Sequence, residues 1–402
     1  MKRGSLLGLA AVCLLSSCAP EFEPASELNS LRILAVQKDK PYARPGDEVR
    51  LQLLWHDGTA EPSREIQIQW LAGCYNPAGD LYRGCFADPA LNGLSSSAQV
   101  IAPQLAADAA AADAGTGDAG ILPNPDAGTL QPADAGVDEA PMEGAPVLSI
   151  PFQERVLVDG DFQVKTGFGE SFSFRMPTQI VSSRPRAPND PTPPYGMAYV
   201  FVAICAGELR LEANQGEFPL ACYENGQRRD SRDFVAGYTA VYAYADAAID
   251  NTNPRIEGLE INGQLAEVDC IGSACSGLIA PASAEPGHCG NHNTLTRCAD
   301  EKNCDPVAIK PRIDQSLPAE NDAVLGRIRG GQFAEQMWIN YYVDRGDLGK
   351  DLRLLNDAVT GWNPQYGGEY KPTQLGTAHI WAVAHDNRGG ADWMRTTVCI
   401  EE

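Results

Sequence analysis

Two stretches decide the fold, MAYVFVAICAG at residues 197–207 and FVAGYTAVYAY at residues 234–244. Both are long runs of β-branched, aromatic and small apolar residues, a composition typical of central β-strands. Shorter runs of the same kind precede them, namely LRILAV (31–36), VRLQLLW (49–55) and IQIQWLA (66–72). Turn signals such as PGD and DG separate these runs. The sequence therefore predicts an all-β protein, and short strands separated by turns favour a β-sandwich.

A second set of strand patterns begins after NTNP at residues 251–254. PRIEGLEINGQ repeats the apolar spacing of the opening strand, and EQMWINYYVD (335–344), AHIWAVAHD (378–386) and a closing strand WMRTTVCI follow it. Helical periodicity is scarce, and a short helix between Ala319 and Arg329 is the one plausible candidate. We therefore expect two β-sandwich domains, at residues 31–248 and 249–402.

The composition changes abruptly between residues 103 and 146, where alanine, aspartate, glycine and proline dominate. The tripeptide Asp-Ala-Gly recurs there, and no lysine or arginine occurs between Arg83 and Arg155. Such a stretch buries too little apolar surface to offset its chain entropy. We predict a disordered acidic insertion at 103–146 within the first domain. The alternative is a calcium-binding repeat, but the paired glycines of the known nonapeptide form are missing from the sequence.

The N-terminus has the features of an export signal. Lys2 and Arg3 precede an apolar run from Leu6 to Leu15, which is shorter than the about 20 residues that a transmembrane helix needs. The next residues, Leu-Ser-Ser-Cys ending at Cys18, resemble the lipobox of bacterial lipoproteins. A plain signal peptide cut near the same place is the alternative.

The lipobox resemblance implies cleavage before Cys18 and attachment of diacylglycerol to its sulfur. Residues 1–17 would then be the signal peptide, and the polar, proline-containing residues 18–30 would be a lipidated tether. Ala19, being other than aspartate, resembles the residue that follows the cysteine in lipoproteins of the outer membrane. We therefore expect a lipid-anchored protein of the outer membrane.

Four longer stretches carry a family resemblance. They are RILAVQKDKPYARPGDEVRLQLLW (32–55), AYVFVAICAGE (198–208), NTNPRIEGLEINGQ (251–264) and GTAHIWAVAHDNRGGADW (376–393). These stretches resemble surface lipoproteins with immunoglobulin-like domains that occur in myxobacteria and related bacteria. The resemblance covers most of the mature chain and consists of strand and turn signatures. It implies two immunoglobulin-like β-sandwich domains at the cell envelope, and it implies no activity.

The charge balance limits the partners. The chain has 31 lysines and arginines against 53 aspartates and glutamates, for a net charge of -22 at pH 7. Nucleic acids and anionic headgroups require a basic face, so nucleic acid is excluded as a partner. Divalent cations are permitted, and an acidic loop carries candidate calcium ligands although its spacing is not that of an EF-hand. Its carboxylates are Asp344, Asp347, Asp351 and Asp357.

Of the 12 cysteines, ten follow Cys18, and we expect them to form disulfides because exported proteins meet an oxidising environment. Nearness in sequence favours pairing Cys74 with Cys85 and Cys205 with Cys222. The connectivity in the second domain stays open. The cysteines there are Cys270, Cys275, Cys289, Cys298, Cys304 and Cys399.

The cysteine-rich insertion at 270–304 also offers a metal site as an alternative. The segment PGHCGNHNTLTRCADEKNC contains histidines and cysteines that zinc could use. Its spacing is irregular, and exported thiols tend to oxidise before they bind zinc, so disulfides are favoured. The candidate ligands are His288, Cys289, His292, Cys298 and Cys304.

Two further groups are candidate functional residues. Trp362, Tyr366 and Tyr370 lie in one turn-rich loop, where exposed aromatic rings could contact a protein or stack on a glycan. The favoured interpretation is that they plug the edge of the sandwich, because buried aromatic residues outnumber functional ones in all-β domains. His379 and His385 are six apart on one predicted strand and therefore share a face, which suits a paired site. The alternative for these histidines is a solvated sheet face.

The sequence contains no Gly-x-Ser-x-Gly, no HExxH, no phosphate-binding loop and no dinucleotide fingerprint. We therefore expect a non-catalytic envelope protein, without a cofactor, that binds an envelope protein or a glycan. A metal-dependent enzyme built on the Cys/His segment and a purely structural spacer are the alternatives.

Overall fold

A computed structural model describes residues 24–59, 64–85, 128–129, 157–159, 162–211, 218–275, 293–298, 304–314, 320–357 and 359–402. The predicted signal peptide, Cys18 and most of the acidic insertion lie outside the described residues. Within them the chain forms two successive sandwiches of mainly antiparallel sheets. The predicted all-β fold with immunoglobulin-like β-sandwiches is thus confirmed. Among the described residues, no helix has the length and apolar character needed to cross a bilayer.

Thirteen strands of the first sandwich fall within the described residues. They are β1 (Leu31–Lys38), β2 (Tyr42–Ala43), β3 (Glu48–Asp57), β4 (Ile66–Tyr75), β5 (Gly128–Thr129), β6 (Leu157–Asp159), β7 (Phe162–Phe168), β8 (Ser171–Arg175), β9 (Tyr195–Ala206), β10 (Glu208–Leu211), β11 (Leu220–Glu224), β12 (Gln227–Arg228) and β13 (Phe234–Tyr244). A small sheet has the order β1-β3-β8 and a large one the order β2-β13-β9-β4-β7-β6. Strands β10 to β12 form a separate three-stranded sheet.

Strand β9 is buried on both faces, which explains its continuous apolar sequence. Alternate residues such as Val200 and Val202 point into the core between the two sheets, where they meet Trp55 and Phe174. The intervening residues, such as Phe201, belong to a second apolar cluster on the outer face of the large sheet. Because side chains alternate along a strand, both faces can be apolar only if both are covered.

In the described part of the second sandwich there are twelve strands and one short α-helix. They are β14 (Ile256–Ile261), β15 (Gln264–Leu265), β16 (Cys270–Ile271), β17 (Asn293–Thr296), β18 (Val307–Ile313), α1 (Ala323–Arg329), β19 (Met337–Val343), β20 (Asp347–Gly349), β21 (Leu352–Asp357), β22 (Gly361–Trp362), β23 (Gly368–Lys371), β24 (Gly376–Asp386) and β25 (Ala391–Glu401). One sheet has the order β15-β14-β18-β23-β20 and the other the order β16-β25-β24-β19-β21-β22.

Helix α1 begins later than the sequence predicts. The side chain of Asp322 accepts a hydrogen bond from the backbone N–H of Leu325, which caps the first turn. Gly330, with a φ of 69°, ends the helix. Glu320 to Asp322 therefore precede the helix, and Ala319 lies outside the described residues.

The predicted tether at 18–30 is too long, because residues 24–30 pack against both sandwiches. The backbone N–H of Leu28 donates to the carbonyl of Val343 at 2.8 Å, and the N–H of Val343 donates to the carbonyl of Ser26 at 2.9 Å. On the other sandwich, the N–H of Gly58 donates to the carbonyl of Ser30. Leu28 is only 1% exposed. An apolar side chain buried this deeply belongs to the folded body.

Gly128 and Thr129 fall inside the segment 103–146 that is predicted to be disordered. They nevertheless pair with Tyr238 and Gly237 at the edge of β13. The prediction of disorder is therefore wrong for these two residues, and the remainder of the segment lies outside the described residues.

Candidate functional site

The cysteines of the first sandwich pair as predicted. Cys74 bonds to Cys85 and Cys205 bonds to Cys222, with Cα–Cα distances of 5.4 Å in both cases. Each bond ties a turn or hairpin to the outer face of the large sheet. In the second sandwich the disulfides are Cys270–Cys275 and Cys298–Cys304, and Cys399 is disulfide-bonded as well.

The disulfide between Cys298 and Cys304 bears out the favoured interpretation of these cysteines. A disulfide sulfur does not supply the thiolate that zinc requires, so the alternative of a metal site fails for these two residues. The other three candidates, His288, Cys289 and His292, lie outside the described residues. The described part of the chain contains no group of three or more His, Cys, Asp or Glu side chains arranged to hold a metal ion.

The acidic loop proposed for calcium has its carboxylates engaged in different places. Asp344 accepts a hydrogen bond from the backbone of His379 at 2.7 Å. Asp357 instead closes the next turn by accepting from the N–H groups of Val359 and Thr360. These two carboxylates therefore serve separate local structures and do not meet at one ion.

The rings of the aromatic loop fold into the sandwich and do not form an exposed contact surface. Tyr370 is 0% exposed and Tyr366 4% exposed, while Trp362 is half-buried against Tyr366. The Tyr370 hydroxyl donates to the carbonyl of Arg345 and the Tyr366 hydroxyl donates to the carbonyl of Pro311. Buried tyrosines with satisfied hydroxyls stabilise a core. The interpretation of the two tyrosines as plugs of the sandwich is thus confirmed, and the alternative of an exposed binding surface is wrong for them.

His379 and His385 do share one face of β24, but that face is not solvated. Both are 6% exposed. The residues between them, such as Ile380 and Ala382, point into the core of the second sandwich. The histidine face instead packs against the first sandwich, where Trp381 lies in one apolar cluster with Leu34 and Leu54. The solvated-face interpretation is therefore wrong, and the face forms a seam between the domains.

At one end of this seam a histidine from each sandwich meets one carboxylate. Nδ1 of His379 lies 2.5 Å from Oδ2 of Asp344, and Nε2 of His56 lies 3.9 Å from the same oxygen. The ring of His56 packs on Trp381 with 4.6 Å between ring centroids. Burial lowers the pKa of His56 to about 4, although the Asp344 carboxylate opposes this shift. His56 is thus neutral at pH 7.

The other end of the seam contains a buried ion network around Arg388, which is 4% exposed. Its Nε donates to Glu335 at 3.1 Å, and its guanidinium also pairs with Glu320. Burial raises the pKa of Glu335 to about 8, and the nearby Arg388 charge opposes that shift. Asn251, in the linker between the domains, donates to the fully buried Asp386 at 3.3 Å. The linker is therefore fastened to the second sandwich.

Strand β1 runs along the seam and shows how the two sandwiches are aligned. Its first residue, Leu31, follows the segment that is bonded to Val343. Near its other end, the Nε2 of Gln37 donates to the carbonyl of Ala391 at 2.8 Å. The sandwiches therefore lie side by side, with the start of β1 next to Val343 and its end next to Ala391.

We call these the N-terminal end and the linker end of the molecule. The N-terminal end is defined by residues 24–30, Gly58, Arg232 and Val343. The linker end is defined by Tyr244, Asn251 and Arg388.

The linker end of the first sandwich carries a cluster of tyrosines that sequence reasoning missed. Tyr42 and Tyr244 have ring centroids 4.8 Å apart, and Tyr195 and Tyr242 have centroids 5.8 Å apart. The Arg184 guanidinium lies 4.0 Å above the Tyr195 ring. Tyr195 and Tyr242 are half-exposed, so their rings are accessible in part. The signal was the spacing of Tyr238, Tyr242 and Tyr244, which places all three on one face of a strand.

The comparisons with known proteins add little to this picture. No family model matches the chain, and no curated protein matches it. Among solved structures, the fibronectin(III)-like modules of Clostridium thermocellum CbhA are similar at 8% sequence identity, over 91% of this chain and 92% of that chain, with a TM-score of 0.18. A similarity at that score carries no argument, and the fold assignment rests on the sheets described above.

Proposed function

We propose that this chain is a non-catalytic lipoprotein of the bacterial cell envelope, anchored in the outer membrane through Cys18, that presents its two sandwiches to a protein or glycan partner. The observation that carries the proposal is the packing of residues 24–30 at one end of the joined sandwiches. Because this segment packs against both sandwiches, an anchor attached just before it is connected to both domains at the same end of the molecule. The linker end is then left available for a partner.

The tyrosine cluster at the linker end supports the binding part of the proposal. The rings of Tyr195 and Tyr242 are half-exposed, and Arg184 stacks on Tyr195 while it pairs with Asp80 at 2.6 Å. Tyrosine and arginine are enriched where proteins bind one another, and tyrosine faces also stack on sugars. A surface of this kind needs no catalytic group.

Mass spectrometry of the N-terminal peptide from membrane-purified protein tests the anchor. We expect the peptide to begin at Cys18 and to carry the mass of acyl chains, and we expect Cys18→Ala to abolish both features. Cys13→Ala is the matched control, because Cys13 lies in the signal segment that cleavage removes, and it should leave acylation unchanged. An unmodified Cys18 in the membrane-purified protein would refute the proposed anchor.

A further inference from the structure

We infer that the N-terminal end of the molecule is held against the lipid surface and that the linker end, with its tyrosines, faces away from it. This orientation rests on the proposed lipid anchor and extends it. The inference follows from where the folded body begins, how its two sandwiches are aligned and which charges lie at the N-terminal end.

The chain from the proposed lipid on Cys18 to Pro24, which we call the leash, is short. Pro24 is the first described residue, and Leu28 is already buried. From Cys18 to Pro24 the fully extended chain reaches at most about 20 Å, at about 3.3–3.6 Å per residue. The tether predicted from the sequence, ending at residue 30, would have reached about 40 Å on the same basis.

Residues 24–30 cannot add to the length of the leash unless their contacts with the two sandwiches are broken. Leu28 shares an apolar cluster with Leu54 of the first sandwich and with Trp381 of the second. Gly58 also approaches the Leu28 carbonyl so closely that a Cβ atom at position 58 would overlap it. Residues 24–30 are therefore a fixed part of the junction between the domains.

The length of the strands separates the linker end from the N-terminal end. Strand β9 has 12 residues, which corresponds to about 40 Å at about 3.3 Å per residue. This length exceeds the reach of the leash. An upright body therefore keeps Tyr195 and Tyr244 far above the bilayer, and only a body lying on its side would bring them near it.

The charges oppose that sideways arrangement. The chain has a net charge of -22, which an anionic bilayer surface repels. The arginines Arg64 and Arg229 at the N-terminal end are both paired with Asp233. The C-terminal Glu402 is paired with Arg297 at 2.8 Å. The charges of these three arginines are therefore matched by carboxylates, and we expect the leash to bring the N-terminal end to the lipid.

Energy transfer to a lipid acceptor tests the orientation. The acylated full-length protein is reconstituted in vesicles of phosphatidylcholine and phosphatidylglycerol that carry a headgroup-linked acceptor dye. A fluorescent amino acid replaces either Arg232 at the N-terminal end or Ala248 at the linker end, both of which are exposed. We expect efficient transfer from position 232 and at least severalfold less from position 248.

Lengthening the leash provides the matched control. Inserting 20 Gly/Ser residues between Glu23 and Pro24 adds about 15 Å to its mean span as a flexible coil, because that span grows with the square root of chain length. The insertion should reduce energy transfer from position 232 and bring the transfer efficiencies of the two labelled positions closer together. Equal transfer from both positions in the unmodified chain, or greater transfer from position 248, would overturn the orientation. A protein that carries acyl chains yet gives this result leaves the proposed anchor standing, whereas a protein without acyl chains overturns both.

Discussion

Oδ2 of Asp344 lies between two histidines from different domains, 2.5 Å from Nδ1 of His379 and 3.9 Å from Nε2 of His56. Asp344 and His379 belong to the second sandwich, whereas His56 is the next-to-last residue of strand β3 of the first. The three side chains are nearly inaccessible to water. The junction between the domains is therefore built partly from ionisable side chains.

Acidification should weaken the folded protein through His56 and His385. Burial lowers both pKa values from 6.5 to about 4, and the Lys38 charge adds to the effect at His385. As the pH falls from about 6.5 to about 4, the unfolded chain takes up protons that the folded chain refuses. The lowered pKa of each histidine can then reduce the free energy of unfolding by up to about 3 kcal/mol, because a shift of one pKa unit corresponds to about 1.4 kcal/mol.

The measurement is the free energy of unfolding by denaturant between pH 7 and pH 4.5, for the wild type and for His56→Gln. We expect a smaller loss on acidification in the variant. Glu335 acts with the opposite sign, because burial raises its pKa to about 8, so the histidine contribution is taken from the difference between the two proteins. Identical pH dependence in both proteins would show that His56 is not desolvated at the junction.

Leu28 should contribute to stability as a core residue does. It is 1% exposed, so Leu28→Ala should destabilise the protein by about 2–5 kcal/mol. Leu265 is 68% exposed, and Leu265→Ala should change the stability by less than about 0.5 kcal/mol. Thermal unfolding of both variants gives the comparison. Equal, small effects would mean that residues 24–30 belong to the tether after all.

Arg388 provides a test of the buried ion network at the linker end. Arg388→Ala leaves the buried Glu335 carboxyl without its guanidinium, which should cost about 3–5 kcal/mol. Arg327 pairs with Asp246 at the surface, where the two side chains are 44% and 42% exposed. Arg327→Ala should therefore cost less than about 1 kcal/mol. Denaturant unfolding distinguishes the two variants, and a mild effect of Arg388→Ala would argue against a network that holds the linker in place.

The local features of this chain were predictable and the long-range ones were not. The sequence predicted a strand at 234–244, and β13 spans Phe234–Tyr244. The Cys74–Cys85 and Cys205–Cys222 bonds were predictable as well, since each closes a loop of 11 or 17 residues. Strand alternation correctly placed His379 and His385 on one face. It could not say what covers that face, because Gln37 and Ala391 meet across 354 residues of sequence.

The same limit explains why the composition of the aromatic loop could not decide between a binding surface and a plug of the sandwich. A turn-rich loop with Trp362 and Tyr370 has the composition of an exposed binding loop, yet Tyr370 fills the second core. Composition does not distinguish a ring that faces solvent from one that folds back under its own strand. The half-exposed Tyr195 and Tyr242 come from strands distant in sequence, and the pairing of β13 with β9 brings them together.

The tyrosine cluster at the linker end should be the contact surface for the partner. A photoreactive phenylalanine analogue at position 242 keeps an aromatic ring on this half-exposed site, and irradiation of intact cells should link it to a partner. The same analogue at position 265, which is 68% exposed on the second sandwich, is the control for exposure alone. Gel mobility and mass spectrometry of the purified adducts identify what is bound.

We expect an adduct at position 242 that Tyr195→Ala reduces severalfold, because the two rings lie 5.8 Å apart and form one surface. Equal adducts at both positions would mean that the crosslinks report crowding in the envelope, and the tyrosine cluster would then be a structural cap of the sandwich.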